Sequence, residues 1–389
     1  MFSPRIDRME ESLTIAMTQK ARELKEAGRE VLSFSAGEPD FDTPRAVKEA
    51  AIAAIEAGFG KYTAVAGIPE LLEAIAGKLK RENNLSYPTK NIVVSNGAKH
   101  SLFNLFAVLL SRGNEVVIPA PTWVSYPEMV RYHGGEPVFV QTKESNGFKM
   151  TPEQLEAAIT PKTHIVMLNS PSNPTGAVYT REEYAALGKV LEGTDILVFS
   201  DEMYEKLVYD VTFTALASVS EDLYHRTITI NGLSKSVAMT GWRMGYFATA
   251  DATIAAAVNK LQSQMTSNVC SIVQKASLPA LDGSVDEEVE QMRRIFQKRR
   301  DLAAHLINQI EGLHVVKPDG AFYLYVNCQA VEPDSMKFAL SLLEQMGVAV
   351  VPGCGFEMEG YVRLSFATSE DVIERGIEKM AQFVKGYKK

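Results

Sequence analysis

The sequence predicts an α/β protein in which helices flank a mostly parallel seven-stranded sheet, followed by a smaller α+β lobe. Seven short apolar runs between residues 92 and 249 are separated by helical stretches, a pattern typical of strands buried on both faces. The spacing of apolar runs changes after Asp282, which indicates a second unit. The length of 389 residues also suits two lobes better than one core.

Residues 1–45 are expected to form an irregular arm that contributes to the smaller lobe and to the functional site. A helix is predicted from about Leu13 to Ala27, before the extended segment VLSFSAGEPDFDTP, in which Gly and Pro prevent a continuous element. A second helix is predicted from Arg45, with Thr43 as its cap and Pro44 at its first position.

The larger lobe is expected at residues 46–284 and contains the seven predicted strands. They are IVVS (92–95), EVVIP (115–119), EPVFV (136–140), HIVMLN (164–169), ILVFS (196–200), RTITI (226–230) and MGYFAT (244–249). Because ligands of such sheets bind beyond the carboxyl ends of the strands, the residues that follow these runs are candidates for the functional site.

Residues 285–389 are expected to form the smaller lobe. A long charged helix (285–311) is followed by GAFYLYVN, a helix near 334–346, VAVVPG, YVRLSFAT and a closing helix from Ser369. The cationic cluster of the long helix is predicted to be a solvated face, and it consists of Arg293, Arg294, Lys298, Arg299 and Arg300.

Composition argues against several classes of function. The formal net charge is −8 and cationic residues are scattered among acids, so no face for nucleic acid is expected. No run of 18 apolar residues occurs and the N-terminus has no long apolar core, which predicts a cytoplasmic protein without a membrane span. The three cysteines are far apart and the six histidines are not at ligand spacing, so neither a disulfide nor a metal site is expected.

Lys235 is the principal candidate for covalent chemistry. It lies between the run RTITI and a Gly-Trp-Arg turn, in NGLSKSVAMTGWRMG, and Arg243 follows eight residues later. A lysine whose pKa is lowered by its surroundings attacks carbonyl groups, and pyridoxal phosphate (PLP) is the usual aldehyde that it captures. Arg243 could then bind the cofactor's phosphate. A lone lysine, however, is more often a solvated surface group.

Polar side chains follow two other predicted strands. Asp201 ends ILVFS and could cap a following helix, or it could keep the ring nitrogen of PLP protonated as an adjacent carboxylate. Tyr204 could hydrogen-bond the ring's phenolic oxygen, and so could Asn173 in the turn SPSNPTG. Asn173 could equally serve only the turn.

Two further sites carry weaker signals. Gly97 and Ala98 connect IVVS to a helix, where free backbone N–H groups can approach a phosphate. Trp123 could belong to the core or could stack on a flat ring.

These residues occur together with a set of motifs in the order and spacing of the aspartate aminotransferase family. The motifs are SAGEPDF, KYTAVAGIPELLEAI, APTWVSYPEM, SPSNPTG, DGAFYLY and VRLSFATS. The chain resembles the bacterial-type subgroup of this class I/II aminotransferase family, which belongs to the fold-type I PLP-dependent enzymes. The resemblance extends from about Ser12 to the C-terminus.

The resemblance implies a role for each residue around the cofactor ring. Lys235 would form the Schiff base with PLP and then move the proton between the substrate Cα and the cofactor C4′. Asp201 would pair with the ring nitrogen, and Asn173 and Tyr204 would hold the phenolic oxygen. Trp123 would stack on the ring. Trp123 and Asn173 would also border the substrate.

The resemblance also implies a phosphate site shared between two subunits. Arg243 and the backbone of Gly97 and Ala98 would bind the phosphate, and Tyr62 would reach it from the neighbouring subunit, which implies a homodimer with shared active sites. Many members carry a serine three residues before the lysine. Gly232 stands there in this chain, so one phosphate contact must come from elsewhere.

The substrate would be bound at two ends. Arg363 would take its α-carboxylate, supported by the backbone of Gly37, and the subgroup's distal-carboxylate site matches Lys99, Ser12 and Thr14. Lys99 would also border the cofactor, although it could be only an exposed lysine in the first turn of a helix.

The implied reaction moves the amino group between L-aspartate and 2-oxoglutarate in a ping-pong sequence through pyridoxamine phosphate, giving oxaloacetate and L-glutamate. The partners are therefore small amino acids and 2-oxo acids. Prephenate, another dicarboxylic acid, is an alternative substrate, alone or together with aspartate. A PLP-dependent carbon–sulfur β-lyase would share most of these residues. A regulator built on the same fold would need a DNA-binding domain, for which no residues are left over.

Overall fold

The computed structural model describes residues 3–10 and 13–387, with the backbone alone at residues 13–15 and 18. The α-helices are α1 (Leu13–Glu26), α2 (Arg45–Glu56), α3 (Pro69–Asn83), α4 (Ala98–Leu109), α5 (Ser125–Tyr132), α6 (Pro152–Ala158), α7 (Arg181–Leu191), α8 (Glu221–Arg226), α9 (Ala252–Ser263), α10 (Ser271–Ala276), α11 (Asp286–Ile307), α12 (Ser335–Met346) and α13 (Glu370–Gly386). The strands are β1 (Leu32–Ser33), β2 (Ile92–Asn96), β3 (Glu115–Ala120), β4 (Glu136–Gln141), β5 (Thr163–Asn169), β6 (Leu197–Asp201), β7 (Thr227–Gly232), β8 (Met244–Thr249), β9 (Tyr323–Asn327), β10 (Val348–Ala349), β11 (Val351–Pro352) and β12 (Tyr361–Ser365).

The predicted seven-stranded, mostly parallel sheet is confirmed. Its order is β2-β8-β7-β6-β5-β3-β4, and β8 alone in this sheet runs antiparallel to both of its neighbours. Successive side chains of a strand point to opposite faces. Accordingly, Ile165 and Met167 of β5 join one apolar cluster and Val166 and Leu168 join another. Apolar cores on both faces of the sheet explain why its strands are recognisable as short uninterrupted apolar runs.

Two smaller sheets lie apart from this one. Strands β11, β12 and β9 form an antiparallel sheet, and β1 pairs in parallel with β10 through Leu32 and Val348. The N-terminal arm is therefore joined to the C-terminal part of the chain. None of the helices in the described ranges has the length and apolar character needed to cross a bilayer.

The prediction of a solvated cationic face on α11 is wrong for two of its five residues. Arg300 is fully buried, and its Nη2 donates to Asp210 Oδ2 at 2.6 Å. Arg299 is nearly buried and donates to Asp40 at 2.7 Å. Arg294 remains largely exposed. Burial of the two arginines is possible because acids pair with them: the distant Asp40 with Arg299, and both the distant Asp210 and the adjacent Asp301 with Arg300.

The predicted cap of the second helix is also wrong. Pro44 occupies the N-cap position without a side-chain bond to the helix. The Thr43 hydroxyl instead donates to the Ala238 carbonyl at 2.7 Å and accepts from Trp242 Nε1 at 3.0 Å. These two bonds connect the N-terminal arm to the turn that follows Lys235.

Candidate active site

A cavity of about 310 Å³ lies at the carboxyl ends of the parallel strands. Asp201 is the last residue of β6, and Lys235 follows the end of β7 by three residues. Ten of the residues predicted for the site line this cavity, namely Gly37, Ala98, Lys99, Trp123, Asn173, Asp201, Tyr204, Lys235, Arg243 and Arg363. The fold thus brings together residues from the N-terminal arm, the large sheet and the C-terminal part of the chain.

Lys235 is half-buried in the cavity, and its Nζ donates a hydrogen bond to the carbonyl oxygen of Gly37. Burial disfavours the charged amine and lowers its pKa. The nearby charges of Arg363 and Arg243 also lower the pKa, whereas the charge of Glu38 raises it. Together these effects lower the Lys235 pKa to about 8. A larger fraction of the amine is therefore neutral near pH 8 than for an ordinary lysine, and the neutral amine is the nucleophilic form.

Asp201 is a buried carboxylate with two hydrogen-bond donors. The Tyr126 hydroxyl donates to its Oδ2 at 2.6 Å, and the Met203 N–H donates to its Oδ1 at 3.1 Å. Burial raises the Asp201 pKa, and the two donors oppose that rise because they favour the charged form. The alternative of a helix cap is wrong, because residues 203–206 form turns and no helix begins there.

Arg363 is a buried cation whose partners are neutral. Its Nη1 donates to Asn173 Oδ1 and its Nη2 to the Ser35 carbonyl oxygen, each at 2.9 Å. Its Nε is buried and has no hydrogen-bond partner among the described residues. An arginine that is held in place but not neutralised is suited to binding a carboxylate. Asn173 uses its oxygen to orient Arg363, so its Nδ2 group is the one that can donate to a ligand.

The start of α4 and Arg243 form an anion-binding corner. Gly97 precedes the helix with φ of 83°, and a Cβ there would lie 2.4 Å from the Arg243 guanidinium. A Cβ at Gly245 would lie 2.1 Å from the Ala98 nitrogen. Gly97 therefore leaves room for the Arg243 side chain, and Gly245 lets β8 approach the N-terminus of α4. Within the described ranges Arg243 has no acid within 4 Å, and helix N-termini favour anions.

Gly232 is enforced by packing. A Cβ at this position would lie 2.8 Å from the Met244 carbonyl oxygen and 3.0 Å from the Gly245 Cα. A serine would therefore require the neighbouring strand to move, so the departure from the family pattern matches the local geometry of this chain.

Lys99 extends beside Trp123 at the edge of the cavity. Its Nζ lies 4.8 Å from the centre of the Trp123 ring. Partial burial and the nearby Arg243 lower the Lys99 pKa. In the part of the chain that the structure describes, Lys99 forms no ion pair within 4 Å. Trp123 is only half-buried and faces the same cavity, so both side chains are available to a ligand.

Two of the predicted residues that the structure describes, Gly97 and Tyr62, do not line this cavity, although Gly97 is adjacent to Ala98, which does. Tyr62 is 90% exposed. Ser12 falls outside the described residues, and so does the side chain of Thr14.

Two cavity residues, Tyr126 and Tyr323, are not among those predicted. Tyr126 donates to Asp201, and the Tyr323 hydroxyl lies 2.8 Å from that of Tyr204. The sequence did carry a signal for Tyr126, because it follows Trp123 by three residues in APTWVSYPEM, a spacing that places two side chains on one side of a helical turn.

The chain is similar to known proteins along nearly its whole length. Residues 29–380 match the family model described as aminotransferase class I and II. An aspartate/prephenate aminotransferase of Cereibacter sphaeroides is 48% identical over 99% of both chains, and an aspartate aminotransferase of Geobacillus stearothermophilus is 46% identical over 98% of both. A solved aspartate aminotransferase of Thermus thermophilus with maleate is 43% identical, covers 98% of this chain and 99% of its own, and superimposes with a TM-score of 0.95.

Proposed function

The chain belongs to the class I and II aminotransferase family, and from that premise we propose that it transfers the amino group between L-aspartate and 2-oxoglutarate, giving oxaloacetate and L-glutamate. One observation carries the choice of substrate. Lys235 and Arg243, which suit the aldehyde and the phosphate of a cofactor, are accompanied in the cavity by two further cations without acidic partners in the described part of the chain, Arg363 and Lys99. A dicarboxylic acid would neutralise both. Maleate, which accompanies the similar Thermus thermophilus enzyme, is also a four-carbon dicarboxylate.

The cofactor of this family is PLP, and the residues of the cavity fit it. The N-terminus of α4 and Arg243 suit the phosphate, and Asp201, which has no cation within 4 Å among the described residues, suits a protonated ring nitrogen. The amine of Lys235, with its lowered pKa, suits reaction with the aldehyde of PLP. When bound, PLP supplies the carbonyl that takes the amino group and the ring that stabilises negative charge at the substrate Cα.

The residues of the chain then perform three tasks. Arg363, oriented by Asn173 and Ser35, holds the α-carboxylate of the substrate, and Lys99 meets the distal carboxylate. Lys235, with its lowered pKa, would accept the proton from the substrate Cα and deliver it to the cofactor C4′. Asp201, whose two donors favour its ionised form against the effect of burial, would pair with the positive charge of the ring nitrogen.

Prephenate is a second candidate substrate, because the Cereibacter sphaeroides relative is named for aspartate and prephenate. It is also a dicarboxylic acid, so Lys99 and Arg363 suit both compounds. Comparison of prephenate and 2-oxoglutarate as amino acceptors, at matched concentrations, would rank them.

We also propose that two chains form a homodimer with shared active sites. Tyr62 is 90% exposed, and Ile52 and Ile55 of the nearby α2 are 55% and 59% exposed, as expected of a surface that a second chain covers. In each chain an arm (1–45) would accompany a larger lobe (46–284) and a smaller lobe (285–389), and the pairing of β1 with β10 supports the place of the arm. The composition favours a cytoplasmic location.

Lys99→Ala tests the substrate assignment. We expect kcat/KM for aspartate and 2-oxoglutarate to fall about 10- to 100-fold, since a charge-assisted hydrogen bond contributes about 1.5–3 kcal/mol. Alanine and phenylalanine, which have no distal carboxylate, should lose much less. Lys162→Ala, at an exposed lysine that does not line the cavity, is the matched control. An equal loss for all four compounds would reject Lys99 as the distal-carboxylate ligand.

A further inference from the structure

Tyr323 connects the residues proposed to hold the cofactor with those proposed to hold the substrate. Its hydroxyl lies 2.8 Å from the Tyr204 hydroxyl, and its ring lies 4.4 Å below the guanidinium carbon of Arg363. Tyr323 and Arg363 belong to the paired strands β9 and β12, whereas Tyr204 follows β6 of the large sheet. The two hydroxyls thus join different sheets inside the cavity.

Both hydroxyls are held in place by close packing. Tyr204 is 5% exposed and Tyr323 is fully buried, and their rings meet edge to face at 5.9 Å. On another side, a Cβ at position 37 would lie 3.2 Å from the Tyr323 hydroxyl. Gly37 therefore leaves just enough room for that hydroxyl, which cannot easily turn away from Tyr204.

The number of hydroxyl protons decides which of the two tyrosines donates the hydrogen bond between them. In the pair alone either oxygen can be the donor, but Tyr204 has a single hydroxyl proton. When Tyr204 donates that proton to the phenolic oxygen of the cofactor, the bond between the tyrosines persists only if Tyr323 donates to Tyr204. Hydrogen bonds in such a chain polarise one another, so the second bond strengthens the first.

We propose that Tyr323 is a positioning residue that acts in two directions. Its hydroxyl donates to the Tyr204 oxygen, so that the Tyr204 hydroxyl donates its own proton to the cofactor's phenolic oxygen. Its ring packs against the Arg363 guanidinium, which binds the substrate carboxylate. This inference rests on the proposed function. It makes Tyr323 a physical link between the substrate-binding arginine and the cofactor.

The test is a pH titration of the visible absorption of the PLP-loaded protein, without substrate, for the unmodified chain, Tyr204→Phe, Tyr323→Phe and the double variant. A donor to the phenolic oxygen stabilises its anionic form, so loss of the donor raises the pH midpoint. We expect Tyr323→Phe to raise the midpoint by about 0.2–0.6 pH unit, since neighbouring hydrogen bonds strengthen one another by about 10–30%. Tyr204→Phe should raise it more.

The double variant distinguishes a chain of bonds from two independent effects. If Tyr323 acts through Tyr204, the double variant has the midpoint of Tyr204→Phe. Tyr325→Phe is the matched control, because Tyr325 is buried on the same strand and its hydroxyl donates to the Met358 carbonyl instead. A midpoint in Tyr323→Phe equal to that of the unmodified chain, or shifts that simply add in the double variant, would overturn the proposal.

A second measurement tests the link to Arg363. Tyr323→Phe keeps the ring and should leave the KM for aspartate within about twofold, whereas Tyr323→Leu removes the ring and should raise it about three- to 30-fold. Equal KM values for both variants would overturn the supporting role of the ring. If the visible absorption band of the PLP-loaded protein changed with other amino acids but not with aspartate, only the proposed substrate would be overturned. The role of Tyr323 would still stand, because the pH titration that tests it uses no substrate. A chain that binds no PLP would overturn both proposals.

Discussion

Replacement of Tyr126 by phenylalanine should weaken cofactor binding by acting on Asp201. Tyr126 is 1% exposed and its hydroxyl donates to Asp201 Oδ2 at 2.6 Å, so the variant leaves this buried carboxylate with the Met203 N–H as its remaining described donor. The phenylalanine ring keeps the edge-to-face contact with Trp123, whose ring centre is 5.1 Å away. The change therefore removes one hydrogen bond with little loss of packing.

The size of the effect follows from the charge and burial of Asp201. A hydrogen bond to a charged group contributes about 1.5–3 kcal/mol, and one pKa unit corresponds to about 1.4 kcal/mol. Burial already raises the Asp201 pKa, against the effect of its donors. Loss of the Tyr126 donor should raise the Asp201 pKa of the cofactor-free protein further, by about one to two units. It should also raise the dissociation constant for PLP about 10- to 100-fold.

Titration of the cofactor-free protein with PLP at several pH values measures both effects. The ionised carboxylate binds the protonated ring nitrogen, so affinity is lost as the pH falls through the Asp201 pKa. A raised pKa means that the protonated carboxyl persists to higher pH, and the loss of affinity in Tyr126→Phe should therefore begin at higher pH than in the unmodified chain.

Tyr209→Phe is the control for this experiment. Tyr209 is also buried and its hydroxyl donates to the Ala321 carbonyl, away from the cavity. It should leave the dissociation constant and its pH dependence unchanged. If Tyr126→Phe behaved in the same way as this control, the account of Asp201 would be refuted.

Two further predictions concern the lysine amine and the buried arginine. Because the Lys235 pKa is lowered to about 8, the rate of PLP capture by the cofactor-free protein, measured by stopped-flow absorbance, should rise with pH with a midpoint near pH 8. A midpoint near the ordinary lysine value of about 10.4 would contradict this. Arg300→Ala should lower the free energy of unfolding by about 2–4 kcal/mol, because it removes a buried side chain and its bond to Asp210. Arg294→Ala, at a largely exposed arginine, should change it by less than about 0.5 kcal/mol in the same urea titration, and equal effects would contradict the burial argument.

The sheet and much of the cavity were predictable because their signals are local. A strand buried on both faces is apolar throughout, so each run was recognisable without knowledge of its neighbours. The residues after those runs meet at one edge of the sheet by the geometry of parallel strands. For this reason Asp201 and Lys235 could be placed at the same edge of the sheet from the sequence alone, whereas the structure shows that the two strands before them, β6 and β7, are neighbours.

The remaining features depend on contacts between distant parts of the chain. Tyr323 and Tyr204 are 119 residues apart, and no spacing rule relates them. Arg299 and Arg300 are cationic residues of a charged helix, and their burial depends on Asp40 and Asp210. The periodicity of α11 contains no information about these acids, so a solvated face was the natural prediction.

The absorption spectrum of the PLP-loaded protein, recorded before and after addition of L-aspartate and then of 2-oxoglutarate, tests the central claim most directly. The account predicts a visible band that aspartate removes and 2-oxoglutarate restores, with oxaloacetate formed in the first step and L-glutamate in the second. A spectrum that aspartate leaves unchanged, or release of ammonia and pyruvate without need for an oxo acid, would contradict it.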